Sequence, residues 1–168
     1  FFKEIFDREG IESRILEFAP GRANIYARIR GSGSKKAVAL LNHMDVVPAE
    51  AKLWKEAPFG GTLKDGVIWG RGSLDNKGPG IIELMTLLAL KRHKIPLQAD
   101  VIFIGTADEE AGGVLGAGFL VDHHPELLKD VGVVLNEGGG IRVDEDGRAR
   151  LYSVGVAEKV PLWLKLTA

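Results

Sequence analysis

The sequence predicts an α/β fold, a mainly parallel mixed sheet with helices on both faces, and three observations predict it. Apolar β-type runs and helical stretches alternate along the 168 residues, the signature of strands joined by crossover helices. Residues 101–106, VIFIGT, form a continuous β-branched apolar run bounded by Asp100 and a Gly-rich segment, as in a strand covered on both faces. Residues 79–93 hold Ile81, Ile82, Leu84, Met85, Leu88 and Leu90 with little polar face between them, which reads as a largely buried helix.

The remaining elements follow in chain order. Phe2, Ile5 and Phe6 fall at helical spacing within residues 1–9, and Gly10 closes that helix. Residues 22–30 alternate, with Ile25, Ala27 and Ile29 against Tyr26, Arg28 and Arg30. Gly31-Ser32-Gly33-Ser34 then turns the chain into the apolar run 37–41, a pattern that reads as a hairpin. Residues 67–69 form a short strand. Beyond the strand at 101–106 come helical stretches at 114–121 and 125–129 and another apolar run at 131–135. From Arg148 onward the pattern is β, over 150–155 and 159–166. The acidic Asp144-Glu145-Asp146-Gly147 before it lacks the twelve-residue calcium-loop spacing and reads as a hairpin turn.

Composition excludes several classes. The length is that of one domain, and at 45% hydrophobic and 27% charged residues a real core is expected. A net charge of -1 offers no footprint for nucleic acid. Cysteine is absent, which removes disulfides, thiolate ligands and Cys nucleophiles together, so any metal must be held by His and carboxylate. No apolar run approaches a membrane span and the first residues do not resemble a signal peptide. A soluble chain is expected, cytoplasmic or else secreted. The chain starts without Met and stops straight after an apolar alternating run, which suggests a piece of something longer.

Ligands of open α/β sheets gather outside the carboxyl ends of the strands. After 37–41 come Asn42, His43, Met44 and Asp45; after 67–69 comes GRGSLD, ending in Asp75; after 101–106 come Asp108, Glu109 and Glu110; after 131–135 come Asn136 and Glu137. Four strand ends are thus expected to bring one His and several carboxylates to one edge of one sheet. A lone Asp-Glu-Glu is ordinarily a solvated turn. Carboxylates converging from four strand ends repel one another unless a cation sits among them.

His43 and Asp45, two apart in an extended segment, share a side, so Asp45 can accept the spare ring N–H of a metal-bound His43. Extended geometry likewise sends Glu109 and Glu110 to opposite sides, one to bind and one to take a proton. Two divalent ions would be nearly neutralised by Asp75, Glu110, Glu137 and one hydroxide, with Asp75 as the bridging carboxylate. Zinc suits this donor set best, with cobalt or manganese as alternatives. Lys77 is followed by Gly78 with no adjacent Ser or Thr, so a Walker phosphate loop is not matched. Gly112, Gly113, Gly116 and Gly118 miss the dinucleotide spacing.

The motifs NHMDVVP (42–48), WKEAPFGG, GRGSLDNKG, TADEEAGG and LNEGG occur in order, and together they resemble the zinc metallopeptidase family of aminoacylase, acetylornithine deacetylase, succinyl-diaminopimelate desuccinylase and carboxypeptidase G. The resemblance runs from about Arg22 onward and implies the N-terminal portion of a di-zinc catalytic domain with a phosphorylase/hydrolase-like fold. Its lid and dimerisation domain and its C-terminal catalytic segment would lie outside this chain. By resemblance, His43 binds one zinc and Asp45 orients it, and Asp75 bridges both ions with a cis peptide to Asn76. Glu109 is the general base, Glu110 binds the second zinc and Glu137 completes the first ion's shell. Glu137 stands where many members carry Asp and aminoacylase-like members carry Glu, which favours an acylamino-acid substrate. The family's second zinc also takes a His from beyond these residues. His93, His123 and His124 sit at helix ends and are not its substitutes.

The expected function is hydrolysis of the amide bond of an N-acyl amino acid or small peptide, with hydroxide held by two zinc ions and Glu109 carrying the proton. The complete protein is expected to be a homodimer, with no nucleic-acid or membrane partner. A non-catalytic metal-binding or assembly module is the alternative. A nucleotide-binding α/β domain would need phosphate-loop spacing that the sequence lacks.

Overall fold

The computed structural model describes residues 1–157, and the predicted β run at 159–166 lies outside them. The chain divides into two compact units, residues 1–136 and residues 137–168.

The first unit is built on a five-stranded sheet. Its strands are β1 (Glu12–Ala19), β2 (Arg22–Ile29), β3 (Ala37–His43), β6 (Val101–Thr106) and β7 (Val131–Leu135), in spatial order β1-β2-β6-β3-β7. The β1–β2 and β2–β6 pairs are antiparallel, while β6–β3 and β3–β7 are parallel. The sheet is therefore mixed, as predicted, with its parallel half carrying His43.

Helices cover both faces. On one face Phe6 of α1 (Phe2–Arg8) and Leu84, Leu87 and Leu88 of α2 (Lys77–Arg92) pack on Ile25, Ala27, Leu40 and Phe103. On the other, Leu120 of α3 (Phe119–His123) joins Leu16, Tyr26, Ala37, Ala39, Ile102 and Ile104. The alternate residues of β6 thus feed opposite layers, and its apolar continuity is explained.

Several elements depart from the sequence reading. Strands β2 and β3 do not form a hairpin, because β6 lies between them. The Gly/Ser segment after β2 bonds sideways to the chain entering β6: the Gly31 N–H donates to Asp100 Oδ1 at 2.7 Å and the Ser32 N–H to the Leu97 carbonyl at 2.8 Å. Strand β1 was not anticipated; its Glu12, Arg14 and Glu17 interrupt the apolar pattern of a largely exposed strand. Strand β5 (Val67–Trp69) is real but pairs with β4 (Thr62–Lys64) in a separate two-stranded sheet. Three strand ends, not four, therefore share the main sheet's edge.

Helix α2 is also less buried than its composition suggests, with Ile82 69% and Met85 51% exposed. Residues 114–121 form a wide π-type turn over Val114–Gly118 running into α3 rather than one helix.

At the far end of the parallel strands an ionic cluster ties the antiparallel β2 to the residues that enter β6 and β7. Arg28 on β2 donates to Asp100 Oδ2 at 2.6 Å and to the Tyr26 hydroxyl at 3.3 Å, and it pairs with Asp130 just before β7. The Arg28 guanidinium holds the Asp130 carboxyl below its ordinary range. Asp100 is also lowered: its burial acts upward but is outweighed by the Gly31 N–H and by Arg28.

The second unit contains an antiparallel pair, β8 (Gly140–Val143) and β9 (Ala149–Ser153). The acidic segment between them is the expected turn, with Asp144 accepting from the Arg148 N–H at 2.8 Å and from Arg150 at 2.7 Å.

Replacing Arg28 by Met would remove the 2.6 Å partner of buried Asp100 and leave it the longer 3.4 Å pairing with exposed Arg30. Urea unfolding at pH 7 is expected to show a loss of about 3 kcal/mol. Because the two carboxyl pKa values are depressed by the fold, this contribution is complete above about pH 4 and fades as pH falls through the folded-state values, so the gap between the two proteins should narrow in acid.

Candidate metal centre

The site begins with the register of two strands. Parallel pairing sets His43, the last residue of β3, opposite Thr106, the last of β6, and the Met44 N–H donates to the Thr106 carbonyl at 2.7 Å. The His43 ring and the acidic turn after β6 thereby leave the sheet side by side.

The ring is only 3% exposed. Its Nδ1 lies 3.1 Å from the Asp45 main-chain oxygen and 3.6 Å from Asp45 Oδ1, while Nε2 lies 2.9 Å from Asp75 Oδ1 and 3.9 Å from Glu109 Oε2. If Nδ1 donates to that carbonyl, Nε2 is left to present its lone pair to a cation held among the acids, the tautomer of a metal-ligating His; without a cation, Nε2–H would donate to Asp75.

The Asp45 carboxylate does something the sequence did not suggest. Its Oδ1 accepts the Glu109 N–H and its Oδ2 the Glu110 N–H, both at 3.1 Å. The chemical partner nearest His43 Nδ1 is thus the main chain of Asp45, while its side chain anchors the acidic turn. That turn is not extended, as the sequence reading assumed. Asp108 takes a left-handed conformation, φ 74°, and Glu109–Ala111 form a single 3₁₀ turn. The reversal is closed by the Gly113 N–H on the Asp108 carbonyl at 2.6 Å and the Leu115 N–H on Asp108 Oδ2 at 3.0 Å. Asn24 of β2 braces it from the sheet, accepting the Ala107 N–H at 2.8 Å and donating to the Leu115 carbonyl at 3.1 Å.

Asp75 reaches the site from the start of α2 rather than from the main sheet, and the Asp75–Asn76 peptide is cis, as the resemblance implied. Lys77 donates its ammonium to the Met44 carbonyl at 3.2 Å, a structural use for the lysine of this glycine-rich loop.

His43, Asp75 and Glu110 each offer a ligand atom, and these atoms lie within 4.8 Å of one another. One imidazole and two carboxylates, with no thiolate, suit zinc, cobalt or manganese. Partial burial is the main influence on the Glu109 carboxyl and raises its pKa; Glu110, Asp45 and Asp75 add to the rise and His43 opposes it. Asn136, at the end of β7, lines a cavity of about 90 Å³ with His43 and Glu109. Glu137 is the next residue and the first of the second unit. His123 and His124 pack against the Phe119 ring, with centroids 5.0 and 5.3 Å away.

Two polar residues beside the site have roles that the sequence reading did not give them. Asn42, 2% exposed, donates through Nδ2 to Glu83 Oε2 at 2.7 Å and to the Ile104 carbonyl at 3.3 Å. Burial pushes the Glu83 carboxyl up to about 6, against the pull of Asn42. A Glu interrupting the apolar pattern of α2 was the available signal.

The Asp45→Ala variant should strand the Glu109 and Glu110 amides. Their hydrogen exchange is expected to accelerate by about ten-fold or more, with the amides of β6 still protected. For Glu83 the raised pKa means that stability is complete below the ordinary carboxylate range and falls as pH rises through about 6. Glu83→Gln is therefore expected to stabilise above that pH by about 1 kcal/mol, after allowance for solvent screening, and to have no effect in acid, by thermal unfolding across pH.

A probable succinyl-diaminopimelate desuccinylase of Staphylococcus aureus is 39% identical over 100% of this chain and 38% of its own length. An uncharacterized metallohydrolase of Methanococcus maripaludis is 31% identical over 95% of the chain and 35% of its own length. The chain thus spans little more than a third of the curated relatives it matches. Among solved structures, an M20 family metallo-carboxypeptidase from Sulfolobus solfataricus superposes with a TM-score of 0.70 at 28% identity, covering 87% of this chain and 32% of that one. Human carnosine dipeptidase 1, at 24% identity, shares the fold with a TM-score of 0.68 over 80% of this chain and 30% of its own. No helix among the described residues is long and apolar enough to cross a membrane. The model of peptidase family M20/M25/M40 matches residues 39–151, a stretch that contains every residue of the cluster, and the chain belongs to that family.

Proposed function

We propose that this chain supplies the first part of the catalytic domain of a two-zinc hydrolase that cleaves the amide bond of an N-acyl amino acid or small peptide. The observation that carries the reading is the convergence of His43, Asp75 and Glu110 from β3, the start of α2 and the turn after β6, within 4.8 Å of one another at ligand atoms. Acids so close to an imidazole and to one another call for a cation. The relatives named as desuccinylases and the metallo-carboxypeptidase support an amide as the bond broken.

Zinc, when bound, would supply Lewis acidity toward water and the amide carbonyl. His43 would present Nε2 to one ion, held by its Nδ1 bond to the Asp45 carbonyl. Asp75 would span the two ions, Glu110 would serve the second and Glu137 the first. Glu109 lies beside this cluster, its N–H on Asp45 and its carboxylate 3.9 Å from His43 Nε2, where it would take a proton from the attacking water and return it to the leaving nitrogen. Its carboxyl is raised above the ordinary range, chiefly by burial, the direction that helps it hold a proton between the two transfers. Glu137, in place of Asp, favours an acylamino-acid substrate. The complete protein is read as a homodimer.

In the full-length protein, Glu109→Gln is expected to lower turnover by at least about a thousand-fold while two zinc ions per chain stay bound, measured by steady-state kinetics with elemental analysis. Asp75→Ala should lose metal in the same analysis. Turnover that survived the first change would remove Glu109 as the base, and a single ion or none in the unaltered protein would favour a non-catalytic module.

A further inference from the structure

We infer that Glu83 is a positioning residue for the metal centre, acting through Asn42 to hold the strand that ends in His43 against the helix that Asp75 immediately precedes. The inference rests on the metal-site reading above and extends it to a residue that touches none of the ligands.

His43 comes from β3 and Asp75 from the start of α2, so the 2.9 Å between Nε2 and Oδ1 depends on how those two elements are clamped. Leu40 shares one apolar core with Leu84, Leu87 and Leu88, and such packing is non-directional. Asn42 and Glu83 supply the direction. Asn42 lies on the α2 face of β3, two residues after Leu40 and one before His43. Its Nδ2 reaches Glu83 Oε2 at 2.7 Å across the gap and the Ile104 carbonyl at 3.3 Å within the sheet, while its own carbonyl accepts the Thr106 hydroxyl at 3.2 Å. The helix is drawn in close at this point. A Cβ on Gly80 would stand 3.0 Å from Asn42 Oδ1, so the helix backbone lies directly over the amide one turn before Glu83.

Packing alone does not call for a carboxylate here. Burial works against the charge of Glu83, and an apolar side chain at this helical position would avoid that cost. What the carboxylate adds is a strong directional acceptor, and the group it holds is the residue next to the ligand. A displacement of β3 along α2 would move His43 relative to Asp75 directly, whereas the Asp45-anchored turn would move with β3.

The test uses the full-length protein with zinc as the probe. Glu83→Met keeps the size and helix preference while removing the acceptor, and Glu83→Gln keeps an acceptor without the charge. Zinc affinity by competition with a chromophoric chelator is expected to fall by about ten-fold or more in the Met variant and to recover in the Gln variant, with kcat following affinity and KM nearly unchanged. Equal affinity in a folded Met variant would overturn the inference, and so would a Gln variant as weak as Met. A Met variant that fails to fold would assign Glu83 to the stability of the fold instead. Unaltered protein that binds no zinc would overturn the metal-site reading itself, a result distinct from all of these.

Discussion

The parallel register of β3 on β6 is the constraint on which the site depends. Six consecutive residue pairs, from Val38 opposite Val101 to His43 opposite Thr106, bring both strands to an end at the same level. Beyond that level each chain turns, and the first residues past each strand are those with the chemistry. A slip of one residue would exchange the faces of β3, sending Asn42 away from α2 and Leu40 out of the core it shares with Leu87 and Phe103. The apolar layers therefore enforce the register, and the register places the imidazole beside the carboxylates.

Both ends of the parallel strands are locked by polar contacts, but by different means. At the entry end the Arg28 cluster joins β2 to the residues that precede β6 and β7, a fully charged arrangement remote from the chemistry. At the exit end most restraints are single hydrogen bonds from main chain to one side chain, as in Asp45 on the Glu109 and Glu110 amides and Asn24 on Ala107. Such bonds fix the acidic turn without consuming its carboxylates. Glu109, Glu110 and Asp75 keep their oxygens turned toward His43, which is what a cation would need.

Much of this was legible in the sequence. The alternation of VIFIGT with a helical stretch required a covered sheet, and the position of His43, Asp75, Glu109 and Glu110 just after apolar runs pointed to one edge. The β2–β3 hairpin misled because a Gly/Ser turn between two apolar runs is locally indistinguishable from the crossover that admits β6. The second use of Asp45, on the amides of the acidic turn, has a related cause. Spacing of two residues describes a strand, and β3 ends at His43, so the side chain two residues on is free to turn toward the next segment.

The sequence by itself determined which residues could serve as ligands, since His and carboxylate are the available donors in a cysteine-free chain, and it determined that they lie at the ends of apolar runs. Those are local properties, set by residue type and by periodicity over a few positions. Only the tertiary structure decided the strand order, the arrival of Asp75 from a helix start and the use of Asp45, Asn24, Asn42 and Glu83 as supports. These contacts join residues tens of positions apart, and no local pattern encodes them; they exist because burying both faces of one sheet leaves a single way for its ends to meet.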